Sequence, residues 1–74
     1  MQHKYVVTFH SVYWAMEAER ELTAAGFSCR LRPVPRQFSS SCGICAEVVA
    51  ENSQSVLDAL ASCHLEHEEI YGPL

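Results

Sequence analysis

The sequence predicts an α+β sandwich in which a four-stranded antiparallel-type sheet carries two helices on one face. Two kinds of pattern support this. Stretches that alternate between two faces recur along the chain, and two other stretches place apolar residues three and four apart. In chain order they read β-α-β-β-α-β. With right-handed crossovers that order leaves both helices on the same side of the sheet, the ferredoxin-like arrangement. A third observation is scale: 74 residues hold one domain, spanning 1–74, with a single core. Hydrophobic residues at 49% and charged ones at 19% are the balance of a chain that buries a core.

Each element has its own signal. Lys4 to Phe9 sets Tyr5, Val7 and Phe9 against Val6 and Thr8, in a β-branched and aromatic composition. Ser11 is a good N-cap for a first helix, whose Val12, Ala15, Ala18, Leu22 and Ala25 form an apolar stripe opposite Glu17, Arg20 and Glu21. Gly26 stands where a left-handed residue closes a helix. Phe27, Cys29 and Leu31 alternate with Ser28, Arg30 and Arg32, so the second strand has one apolar and one basic face, and Pro33 ends it. Ile44 to Ala50 alternates with both faces partly apolar, which predicts a central strand. Asn52 or Ser53 caps a second helix with an inward stripe of Val56, Leu57, Leu60 and Cys63, ending near His64. Leu65 to Tyr71 is acidic and loosely patterned, a short edge strand with Ile70 and Tyr71 its firmest β-formers, stopped by Gly72-Pro73, with Glu66, Glu68 and Glu69 as a solvated border.

Between the second and third strands lies Pro33 to Cys45, with prolines at Pro33 and Pro35, three serines at 39–41 and a Cys42-Gly43-Ile44-Cys45 ending. Prolines fix φ and push their predecessors into extended shapes, so this is a loop. It exceeds the roughly 2–6 residues that usually join elements, and such loops tend to be functional. The topology sets it at the same end of the sheet as His10, Ser11 and the start of the first helix. A helix N-terminus and a cation such as Arg36 favour an anion nearby, which would make Cys42 a nucleophile at neutral pH. His10 could touch the loop and act on Cys42, although a histidine at a strand end is more often merely exposed.

The other cysteines read differently. Cys29 and Cys63 fall on apolar stripes and belong to the core. Cys45 and Cys42 point to opposite faces of an extended strand, and only a turn at Gly43 would bring them together. Trp14 and Met16 flank the first helix and cover core or a partner surface, while His3 is a solvated terminus. A net charge of −4 disfavours nucleic acid as a partner. No apolar run approaches the roughly 18–20 residues that span a bilayer. The absence of a signal-like start points to the cytoplasm and to free thiols.

Pro33-Val34-Pro35-Arg36 followed by Ser41-Cys42-Gly43, with Phe9-His10-Ser11 and the Ala15 to Glu19 run, resembles the selenium/sulfur carrier protein-like family, a small domain of unknown function. The resemblance covers nearly the whole chain. It implies a ferredoxin-like or sulfur-relay-like domain whose loop cysteine is proposed to hold sulfur or selenium. Carried over, that residue is Cys42, with Gly43, Arg36 and Ser11 as its setting.

Three functions follow as expectations. The first is a carrier rather than a stand-alone enzyme: Cys42 takes a persulfide or selenosulfide from a donor protein and passes it to an acceptor, needing no cofactor. Arg36 would stabilise the charge, and Cys45 would serve as resolving thiol. His10, Ser11, Ser41, Gly43, Pro33 and Pro35 would shape the binding loop. The second is a zinc site from Cys42 and Cys45 with Cys63 and His64 or His67. The third is a non-catalytic interaction module. The sheet edges leave a homodimer open.

Overall fold

A computed structural model describes residues 1–74. The elements are β1 (His3–Thr8), α1 (Val12–Ala24), β2 (Ser28–Pro33), β3 (Ile44–Ala50), α2 (Ser53–Ser62) and β4 (Ile70–Tyr71). They form one sheet in the order β2-β3-β1-β4 with every neighbouring pair antiparallel, so the chain has the expected α+β, ferredoxin-like topology. β3 is central, as its two-sided apolar pattern requires. β1 and β2 run the same way, which places the 34–43 loop beside the entrance to α1.

Local chemistry explains the boundaries. The Ser11 hydroxyl accepts the Trp14 N–H at 3.4 Å, and the Asn52 carbonyl oxygen accepts the Ser55 N–H at 2.8 Å. At the end of α1, Gly26 takes φ +98°. Around it the Phe27 N–H reaches the Leu22 carbonyl and the Gly26 N–H the Thr23 carbonyl, closing a Schellman motif. α2 closes in the same way around His64, at φ 55°, with Leu65 N–H on the Leu60 carbonyl.

The core lies between the sheet and the helices. Tyr5, Val7 and Phe9 of the first strand segment and Ala46, Val48 and Ala50 of β3 meet Ala15, Ala18 and Leu22 of α1 and Val56 and Leu60 of α2. The alanines let both helices approach the sheet closely. Val12 departs from the expected stripe and is exposed, because it opens the helix before the inward face begins, and Ala25 is the exposed C-cap. His3 is not a free terminus but the first residue of β1, paired with Ala50.

The last strand is a short edge strand, as expected. Only Ile70 and Tyr71 form it, pairing with Val7 and Val6. Residues 68–69 are held instead by Thr8, whose N–H donates to the Glu69 carbonyl at 2.9 Å and whose carbonyl accepts the Glu68 N–H at 2.7 Å. The buried Thr8 hydroxyl accepts the Glu69 N–H at 3.1 Å.

Candidate functional site

The loop begins by prolonging the ladder: the Val34 N–H donates to the Gly43 carbonyl at 3.1 Å. Hydrogen-bonded pairs alternate along an antiparallel ladder, so Pro33 falls where an N–H would face away from β3. Its missing donor costs the sheet nothing. Gly43 returns the chain at φ +78°, a conformation that suits glycine. Within the loop, Pro35 to Phe38 is a tight turn closed by the Phe38 N–H on the Pro35 carbonyl at 3.0 Å, with Arg36 at its exposed tip. Phe38 then stacks on Tyr71, ring centroids 4.2 Å apart. Tyr71 is the cross-strand partner of Val6 on the helix-free face. The loop therefore folds over that face, where Val6, Thr8 and Cys45 are all buried.

The serines tie the loop down. The Ser40 hydroxyl donates to the Phe9 carbonyl at 3.4 Å and accepts the Cys42 N–H at 3.3 Å. Ser41 gives its N–H to Glu68 Oε1 at 3.0 Å and its hydroxyl to Oε2 at 2.5 Å. His10 Nδ1 lies 3.5 Å from the same Oε2. These hydrogen bonds, together with His10, hold the Glu68 carboxyl below the usual glutamate range. Glu68 is thus an anchor and not part of a solvated border. A polar cleft of about 490 Å³ lies here, with His10, the serines, His67 and Glu68 in its wall.

The thiols sort by environment. Cys42 is half-buried against the core, its Sγ–H 3.4 Å from the Ile44 carbonyl and its sulfur 3.8 Å from the Ser40 hydroxyl. Cys45 opposes Thr8 and Arg32 in the ladders and is buried beneath the loop; burial, with Glu47 and Cys42, pushes its thiol up, against a smaller opposing effect of Arg32. Burial, with Glu19, pushes Cys29 up to about 11. All four cysteines are free.

The structure thus brings His10, Ser41 and Cys42 into one connected region, entered from Ser11. Pro33, Pro35 and Gly43 shape its backbone. Arg36 does not join it by contact: it makes no hydrogen bond or ion pair. The zinc set does not assemble. No three His, Cys, Asp or Glu side chains come close enough to hold a metal: Cys63 and His64 stand at the end of α2 and His67 lines the cleft. Sequence reasoning missed Ser40, Phe38, Tyr71 and Glu68 as loop fasteners. Only the aromatic at position 38 of a polar loop hinted at such a role.

The family model described as Putative Se/S carrier protein-like matches residues 4–72. No curated protein and no solved structure matches the chain.

Proposed function

The chain belongs to the Se/S carrier protein-like family, and on that premise we propose that it is a cysteine-based carrier of sulfane sulfur or selenium with Cys42 holding the cargo. The observation that carries this reading is the setting of Cys42: a half-buried thiol beside the Ser40 hydroxyl, on a loop tied to the sheet.

In loading, the Cys42 thiolate attacks the outer sulfur of a donor persulfide, R–S–S–H. A Cys42–S bond forms, the donor S–S bond breaks, the donor leaves as thiolate and the transferred sulfur keeps its proton. Unloading repeats the step on an acceptor thiolate, so the cycle is redox-neutral. The Ser40 hydroxyl, 3.8 Å from the sulfur, would turn its one proton from the Phe9 carbonyl to the sulfur when the latter is anionic. Cys45, buried with its thiol pushed up, can resolve the persulfide only when the loop is displaced; its attack on the Cys42 sulfur forms a Cys42–Cys45 disulfide and expels hydrosulfide, and a reducing dithiol must then restore both thiols. The partners are then donor and acceptor proteins, in the cytoplasm, where such thiols stay reduced. No helix is long and apolar enough to cross a membrane.

The test is intact mass after purification without reductant and incubation with a persulfide donor. Wild type gains one or more sulfurs, removable by reductant, and Cys42→Ala gains none. An unmodified wild type, or an adduct that persists in Cys42→Ala, overturns the reading.

A further inference from the structure

The chain carries a net charge of −4, yet its cations are unevenly used. Arg20 is paired with Glu17 and Glu21, and Lys4 with Glu47. Arg30, Arg32 and Arg36 are exposed and make no ion pair; Arg30 stands opposite Glu47 in the ladder, but that carboxylate is engaged by Lys4. Two of these three lie on β2, an edge strand of six residues. The alternation that places Pro33 outward does the same for Leu31 and Cys29, whose N–H and C=O groups face away from β3 and are free to accept an added strand. At the loop end of this edge a shallow groove of about 350 Å³ is lined by Leu31, Arg32, Pro33, Gly43 and Ile44. Gly43 is the neighbour of Cys42.

We propose that this edge is a docking site for an extended segment of a partner protein in which acidic and apolar side chains alternate. The pleat dictates the alternation. A strand added to β2 sets its side chains to opposite faces, so that one set meets Arg30 and Arg32 on the helix-free face and the other lies along Leu31, Pro33 and Ile44. An arginine beside an apolar groove is a frequent anchor composition at interfaces. A segment held there ends its path beside the Cys42 loop. The partner's identity as a donor or acceptor of sulfur or selenium rests on the carrier reading; the surface itself does not.

The test is an NMR titration of the full chain at low salt with a blocked peptide alternating glutamate and valine, and with its lysine–valine counterpart. The expected result is shifts centred on the amides of Cys29, Leu31, Gly43 and Ile44 with the glutamate peptide. Binding weakens about tenfold in Arg30→Glu/Arg32→Glu, which then prefers the lysine peptide. Absent shifts, shifts centred elsewhere, equal binding of both peptides by wild type, or equal affinity in wild type and variant each overturn the proposal. Charges on an edge also discourage pairing. Self-association of an Arg30→Ser/Arg32→Ser variant with undiminished peptide affinity would show that the arginines are guards only, and would overturn it too. Cys42→Ala keeps wild-type peptide binding. Arginine-dependent binding without sulfur loading sinks the carrier alone, and sulfur loading without arginine-dependent binding sinks the docking site alone.

Discussion

Glu68 ties Ser41 from 27 residues away, with His10 at the same carboxylate. Its replacement by alanine removes the acceptor for two Ser41 donors and leaves them to water. The expected outcome is a loop that exchanges its Ser41 amide faster while the melting temperature moves little, with Glu68→Gln recovering part of the protection; amide exchange by NMR reads both. The pH sense follows from the lowered folded value. The contribution of this tether is complete above the ordinary glutamate range and is lost as pH falls through the lowered folded value, so the Ser41 amide loses its protection at a more acidic pH than an untied glutamate would dictate. The thiols respond oppositely. Cys29, raised to about 11, gives stability that is intact below its unfolded value near 8.5–9 and drains away as pH rises towards 11. Cys29→Ala should therefore flatten the alkaline limb of a denaturant midpoint against pH profile. Under native conditions near pH 8, iodoacetamide should spare Cys29 and modify Cys45 only slowly, through opening of the loop above it, and modify both rapidly once the chain is unfolded in urea.

The elements were legible wherever their signals are local. Ser11, Asn52 and Gly26 announce helix ends because capping joins residues three to five apart, and β3 shows both its bounds and its central place by alternation alone. Asn52 accepts both the Ser55 N–H and its hydroxyl, so Asn52→Ala should cost about 1 kcal/mol by urea denaturation. In the acidic segment ending in β4 the strand itself is legible at Ile70 and Tyr71, but the hold on residues 68–69 is not, for the opposite reason. Its alternation is weak, and what fixes residues 68–69 is Thr8, sixty-one residues from Glu69 in sequence. The Glu68 anchor and the Phe38–Tyr71 stack were likewise out of reach, since no local pattern encodes a partner on another strand. Cys42 stood out from its loop and its family resemblance, whereas the hydroxyl next to it came only with the fold.

Across the whole molecule the helices protect one side of the sheet and the 34–43 loop protects part of the other. Leu22, fully buried between α1 and the sheet, should cost about 2–5 kcal/mol when cut to alanine, comparable with the total stability of a domain this size. A urea midpoint near zero or a chain largely unfolded in buffer is the expected outcome. At the far end of the β4 edge Gly72 has φ +138°, and a Cβ there would lie 2.6 Å from Tyr5 Cδ1 and 2.9 Å from the Lys4 carbonyl. Gly72→Ala should cost about 2 kcal/mol in the same assay.

Phe38 leans on Tyr71 and Ser41 on Glu68, so two fastenings of the Cys42 loop end on one short C-terminal segment whose regular strand is two residues long, while Ser40 holds the Phe9 carbonyl. The segment has its own bonds to Thr8 and to β1, but when it lifts away the loop loses both the stack and the Glu68 tie with it. Loop and segment thus form a single opening unit, a foldon of low local stability riding on a firmer body. Its amides, Ser41 and Glu69 among them, should share one exchange free energy, smaller than that of Val7 or Val48. Access to the underside of the sheet, Cys45 included, is then set by the equilibrium of that partial opening instead of by global unfolding.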